Sequence, residues 1–185
     1  MILNFTQTRG ATPALPLATD VALEAAVTQD RATAMIGAAW VIAETFTGRN
    51  YWPVTAAVLT VQAGDDCTAG WPRYPAPAAI TMERQSGREW VPDDGPMYDA
   101  QTGIVAFLAP GATYRFTQVG TVTPAPGAHV LEAVRALALY ALIQSPARRE
   151  FRQVQSGDST LTREALGGLM ASSGAGLMLA GEVRW

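Results

Sequence analysis

One histidine, His129, and one cysteine, Cys67, set the limits of what this chain can do as a catalyst. A serine or threonine nucleophile needs a base within hydrogen-bond reach, and His129 is the only conventional one. It opens a helical run and reads as a helix-start surface residue. Cys67 follows Asp65 and Asp66, whose charge raises a thiol pKa, the wrong direction for a reactive cysteine, so it reads as a loop residue. A single residue of each type excludes an intramolecular disulfide, a Cys/His zinc site and a Cys-x-x-Cys redox centre. Two acid groups remain: Asp65-Asp66, and Asp93-Asp94 with Asp99. Paired carboxylates can hydrolyse a glycoside or hold a hard cation, and a hydrolase on Asp93, Asp94 or Asp99 is one reading. Neither group has EF-hand spacing and both lie among Gly and Pro, so turn formation and solvated charge is the other reading, and the preferred one.

All 13 basic residues are arginine, so a Walker A lysine is absent. Gly174-Ala175-Gly176 runs into Leu177-Met178-Leu179 with no third glycine and no preceding strand, so the dinucleotide fingerprint fails as well. No enzyme and no cofactor are expected. Trp71, Tyr74 and Trp90 could form a glycan- or peptide-binding surface on a β-rich module. Base stacking is disfavoured, because Asp65, Asp66, Asp93, Asp94 and Asp99 share that stretch where a cationic groove would be needed.

The net charge of -3 argues against a protein that works by neutralising phosphates. Hydrophobic residues make up 49% and charged residues 16%, against a usual charged share of about a quarter. Either much of the surface is neutral or much of it is covered by partners. No basic run followed by an apolar block opens the chain, so a secretory signal is not expected and the cytoplasm is the expected site of synthesis and use.

The elements that must position these residues follow from periodicity. Helices are expected at 20–29, with Asp20 or Thr19 as cap, at 31–47, with Met35, Ala39, Ala43 and Phe46 on one stripe and Gly48 as the stop, and at 128–144. Short β-type runs fill 54–122: Val54 to Val61, Ala79 to Glu83, Arg88 to Val91, Gly103 to Leu108 and Thr113 to Val122, with Ser86-Gly87 as a hairpin turn. The expected fold is therefore α+β: a bundle of three main helices, a small antiparallel β insert, and a C-terminal helix or arm. The expected domains are a core at 1–155 and an arm at 156–185.

That arm has no charge from Ala165 to Gly181, but it holds Gly167, Gly168, Gly174, Gly176 and Gly181. Each glycine inside a helix costs on the order of 1 kcal/mol relative to alanine, so a membrane span is not expected. The preferred reading is a short helix from Leu161 to Met170, capped by Thr160 or Ser159, and then a pliable apolar stretch ending in Val183-Arg184-Trp185 that orders against a partner.

This order of parts resembles the head-tail connector, or adaptor, family of tailed bacteriophages and gene transfer agents. Three stretches carry the resemblance. Leu23 to Arg49, and particularly Ala38 to Arg49, ending Glu44-Thr45-Phe46-Thr47-Gly48-Arg49, is similar to the family's second helix with its Glu-x-x-Thr-Gly-Arg close. Gly103 to Phe107, Tyr114 to Thr117 and Val130 to Tyr140 resemble its last strands leading into its long helix. Gly176 to Trp185 resembles its apolar tail, without the Pro-Tyr pair that often precedes the final Arg. The resemblance implies a ring of about twelve copies in the neck of a virion or phage-like particle, assembled in the bacterial cytoplasm. Its implied partners are a portal protein above and a tail-side stopper or tail-terminator protein below. DNA would pass through the ring without sequence-specific binding, and no membrane would be involved. It also implies portal contacts at Leu161, Leu166, Leu169, Met170, Leu177, Met178, Leu179, Arg184 and Trp185. The competing reading of those residues is ordinary packing of a C-terminal helix onto its own domain.

Overall fold

The computed structural model describes residues 1–143 and 166–183. It divides into two compact units, Met1–Thr12 with Asn50–Pro124, and Pro13–Arg49 with Ala125–Trp185.

The first unit is built from eight strands: β1 (Ile2–Arg9), β2 (Val54–Gln62), β3 (Ala69–Gly70), β4 (Ala79–Ser86), β5 (Glu89–Pro92), β6 (Met97–Asp99), β7 (Ile104–Ala106) and β8 (Thr113–Val119). Five form an antiparallel sheet in the order β1-β2-β8-β4-β5, and three form a smaller one in the order β3-β7-β6. Alternation drives the larger sheet. Tyr114, Phe116 and Gln118 of β8 are buried, as are Ala57, Leu59 and Val61 of β2, and of these Tyr114, Phe116, Leu59 and Val61 meet Val105 and Leu108 in one core. Gln118 is tolerated in its buried position because its Nε2 donates to the carbonyls of Val54 at 2.8 Å and Gly120 at 2.7 Å. The β4–β5 hairpin turns through Gly87 at φ +61°, where a side chain would strain the backbone.

The expectation of a three-helix bundle with a small β insert is corrected here: the β part is no insert but eight strands in two sheets that form a compact unit of their own, with five described helices in the other unit. The missing strand is β1, whose sequence passes as a Thr-containing leader. Asn4, Thr6 and Thr8 stand exposed while Phe5 and Gln7 are half-buried, an alternation too polar to read as a strand without its neighbour β2. The other omissions, β3 and β6, are two and three residues long, below what periodicity can show.

The second unit holds α1 (Ala18–Ala25), α2 (Gln29–Thr47), α3 (Ala128–Ile143), α4 (Leu166–Ser172) and α5 (Ala175–Leu179), followed by a 3-10 turn at Ala180–Glu182. Helix α1 begins at Ala18, ahead of Asp20, and no side chain caps it. Helix α2 is capped by Thr28, whose Oγ1 accepts from the Arg31 amide at 3.4 Å, and it ends at Gly48 with φ +71°. Trp40 is fully buried, and its Nε1 donates to the Leu15 carbonyl at 3.2 Å. Helix α3 buries Val130, Ala133, Val134, Leu137, Ala138, Leu139 and Leu142, and it packs against α1, α2 and α5. No described helix is long and apolar enough to cross a membrane.

Candidate functional site

Two places gather the residues singled out by sequence. The first is the C-terminal segment of the second unit. Met170 of α4 and Ala175 and Leu179 of α5 are buried, and complete burial of one leucine side chain is worth about 1.5–3 kcal/mol. Helix α5 can approach α4 so closely because Gly176 has no side chain: a Cβ there would lie 3.3 Å from the Met170 carbonyl oxygen. The 3-10 turn is then held by polar contacts. Arg49, just past the end of α2, donates through Nε to the Glu182 carbonyl at 2.8 Å and pairs through Nη1 with Glu182 Oε2 at 2.9 Å. His129 Nε2 meets Glu182 Oε1 at 2.8 Å. His129 thus stands at the start of α3, half-exposed, with a carboxylate partner and no nucleophile in that pairing.

The implied portal contacts therefore divide. Met170 and Leu179 are interior, Leu169 and Met178 are half-buried, and Leu177 projects outward with 88% of its surface exposed. Only the backbone of Leu166 is described, as the first residue of α4. Leu161, Arg184 and Trp185 lie outside the described residues, as do the expected joint at 156–159 and the start of the expected helix at Leu161.

The second place is an open groove of about 370 Å³ in the first unit, lined by Met97, Tyr98, Asp99, Thr102, Ile104, Ala106 and Phe107. Asp99 closes the β6–β7 turn by accepting from the Gln101 amide at 2.9 Å and the Thr102 hydroxyl at 2.6 Å. Those hydrogen bonds, the hydroxyl's foremost, hold its carboxyl below the usual carboxylate range. Tyr98 donates its phenol to the Pro77 carbonyl at 2.6 Å, and its pKa is pushed up to about 12, by burial first and by the Asp99 charge second. Gly103, at φ +71°, is wedged where a Cβ would lie 2.8 Å from that of Ala76. Phe107 has φ +63°, a conformation that costs a bulky residue energy, and it is nevertheless 70% exposed. Sequence pattern does not reveal this residue, because its signature is a backbone dihedral.

The remaining candidates disperse. Trp71 packs edge-on against Phe5 at 5.8 Å, the Tyr74 carbonyl accepts from the Asn50 amide at 2.8 Å, and Trp90 lies under the Arg115 guanidinium at 4.6 Å. Trp71 and Trp90 are thus engaged by different neighbours. Asp93 accepts from the Gly95 amide at 3.0 Å and faces Arg84 at 3.5 Å, Asp94 is exposed, and Asp66 accepts from the Thr68 hydroxyl at 3.0 Å. These are turn contacts. Among the described residues no group of three His, Cys, Asp or Glu side chains is placed to hold a metal.

No family model matches the chain, and no curated protein matches it. Solved structures do. The chain is similar to one from the neck of an empty gene transfer agent particle computed with C6 symmetry, at 15% identity and TM-score 0.60, over 99% of this chain and 96% of that one. It is equally similar to a chain of the virion of a native gene transfer agent particle, at 13% identity, TM-score 0.61 and the same coverages of 99% and 96%. A chain from the neck of a native particle computed with C12 symmetry matches at 14% identity and TM-score 0.50, over 97% of this chain and 96% of that one. What these likenesses share with the present chain is the fold.

Proposed function

We propose that this protein is a structural subunit of the neck of a phage-like particle, a head-tail connector that works without catalysis. In this reading copies assemble as a ring between a portal protein and a tail-side stopper or terminator, and DNA passes through the ring unread. The observation that carries the reading is the end-to-end likeness to a particle-neck chain, over 99% of this chain and 96% of that one.

Physical features of the chain support it. A ring subunit buries two different faces, which suits a charged share of only 16% and apolar side chains left in solvent on both units: Met97 and Phe107 on one, Leu23 and Leu177 on the other. A net charge of -3 suits a conduit to which DNA must not stick. For the portal side, Leu177 is the contact best placed, with Met178 next to it in sequence, half-buried Leu169 on α4, and Met170 and Leu179 anchoring the segment from within. Leu161, Leu166, Arg184 and Trp185 complete the proposed portal-facing set. No observation favours the glycan- or peptide-binding reading of Trp71, Tyr74 and Trp90.

The test is deletion of the gene in the particle-producing strain. DNA-filled heads without attached tails are expected, with tailing restored by the wild-type chain and not by a Leu177→Asp chain. Tailed particles formed without the protein, or its localisation in particles away from the head-tail junction, would overturn the proposal.

A further inference from the structure

We infer that the open edge of β1 pairs with the β5 edge of a second copy of this chain, the two strands running parallel with Phe5 beside Val91 and Arg9 at the Asp93-Asp94 end. Strand β1 closes one side of the five-stranded sheet, and among the described residues it pairs with β2 on one edge and with no strand on the other. It is eight residues long and carries no proline, no acid and one charge, Arg9. Its two register shifts fall near its ends, at Ile2/Asn4 and Thr8/Arg9, and leave Asn4 to Thr8 in unbroken register. An edge of that length without proline or scattered charge presents a row of backbone donors and acceptors, and proteins that stay single blunt such edges. Apolar side chains add to the exposure, with Ile2 and Leu3 both about half in solvent.

The edges that the chain itself offers narrow the choice of mate. The smaller sheet ends in β3 and β6, of two and three residues, too short to match β1. Two β1 strands would pair antiparallel about a two-fold axis, which turns Arg9 toward the apolar Ile2-Leu3 end of the other copy and stops at two copies. Strand β5 fits better. Val91 is 46% exposed and lies opposite Arg84, on the side of β4 from which Ile80 and Met82 pack against the core. Phe5 packs against that same core from β1. A junction with Phe5 beside Val91 therefore keeps the core-facing side of the sheet continuous from one copy to the next.

Charge fixes the direction. Arg88 precedes β5 and Asp93-Asp94 follows it. Parallel pairing carries Arg9 to the acidic end, whereas antiparallel pairing carries it to Arg88-Glu89, which is neutral as a pair. Asp94 is exposed, and Arg9, 5.0 Å above the Trp52 ring, keeps its charge there. Within one sheet β1 and β5 already run the same way, because all four neighbouring pairs from β1 to β5 are antiparallel, so successive copies need no reversal.

The choice of a second copy rests on the ring reading above. Two different edges make a head-to-tail contact, and such contacts propagate until a ring closes. Strand addition of this kind draws affinity from main-chain hydrogen bonds and specificity from the side chains beside them.

The experiment uses particles from the deletion strain supplied with a full-length chain carrying Cys67→Ser, Asn4→Cys and Glu89→Cys, both new cysteines at exposed positions. Treatment with a short bismaleimide is expected to give a ladder of covalently joined copies on a denaturing gel. A second chain, with Thr6→Cys and Pro92→Cys in place of the first pair, should give the same ladder. Asp94→Arg, which sets a cation against Arg9, should cut both the ladder and tailing by about tenfold, and Arg9→Glu in the same chain should restore them. Asp94 is exposed, so Asp94→Arg should retain the wild-type circular dichroism and the loss reports the contact. No ladder from either pair above that of a chain with Thr81→Cys and Glu89→Cys overturns the inference. A cross-linked dimer from a chain with Asn4→Cys as its one cysteine also overturns it, since β1 would then meet β1. The outcomes separate the two claims: tailed particles that hold the protein at the head-tail junction without a ladder sink this contact alone, whereas tailed particles formed without the protein sink the ring reading.

Discussion

Arg49 and Glu182, separated by 133 positions, meet twice: the guanidinium Nε donates to the glutamate's carbonyl oxygen at 2.8 Å and Nη1 pairs with its carboxylate at 2.9 Å. One residue follows Gly48 at the end of α2, and the other follows the uncharged run that closes at Gly181. Both side chains are about three-quarters covered, at 25% and 21% exposed, so the pair is less screened than a surface ion pair. Arg49→Ala should therefore cost about 1–2 kcal/mol. Hydrogen exchange should rise at 175–183 and stay unchanged in the β sheet.

The two leucines of α5 should part company on substitution. Leu179→Asp places a charge in a fully buried position and should unfold the second unit, read as loss of the cooperative thermal transition. Leu177→Asp, at 88% exposed, should change stability by less than about 0.5 kcal/mol. Equal effects at both positions would mean that α5 is not seated as described.

Phe107→Gly should not lower the Tm, and it should raise it by a few degrees if relief of the positive-φ conformation, worth roughly 1 kcal/mol, exceeds the loss of its remaining contacts. Differential scanning calorimetry measures this. A large drop in Tm would assign Phe107 to the core instead of to display.

Gly103 and Gly120 both have positive φ, at +71° and +75°, but only Gly103 has neighbours in the way. Gly120→Ala should cost about 1 kcal/mol of strain alone. Gly103→Ala should cost clearly more, because its Cβ would collide with that of Ala76 at 2.8 Å and press on that of Trp71 at 3.2 Å. Paired denaturant melts distinguish the two.

Two titrations follow from the pKa directions. Tyr98 should ionise at about 12, seen as a late phenolate band in ultraviolet absorbance. Its folded value is raised, so this contribution to stability is complete below the ordinary tyrosine range and is lost as pH climbs through the folded value. Asp99→Asn should lower it only in part, since burial is the larger cause. Glu83 behaves in the opposite sense. The Arg115 hydrogen bond holds its carboxyl below the ordinary value, so the contribution is present at neutral pH and disappears as pH falls through the lowered value. Arg115→Leu should return Glu83 to the ordinary carboxylate range in a carbon-detected NMR titration and alter Trp90 emission, because the same guanidinium covers that ring.

What sequence could show followed from how strongly each element advertises itself. Helices α2 and α3 declare themselves by long apolar stripes and by Gly48, and the structure places them at 29–47 and 128–143, close to 31–47 and 128–144. Strand β8 does so by alternation, and the β4–β5 hairpin by Ser86-Gly87. Strand β1 is hidden because its partner β2 lies 45 or more residues away, and only that pairing gives meaning to the half-buried Phe5 and Gln7. The groove is hidden for a different reason: its defining features, the dihedral of Phe107 and the hydrogen-bonded turn at Asp99, are properties of a folded backbone. The tail is legible as apolar, but which of its side chains turn inward depends on Gly176 and on the remote Arg49.

Sheet order sets a schedule for manufacture. β8, made last, lies between β2 and β4, so neither of those earlier strands has its central hydrogen-bonding partner until residue 119 has left the ribosome. Newly made β2 and β4 must each wait with one edge open until β8 follows them, and a nascent chain stalled before Thr113 should be the form that chaperones hold.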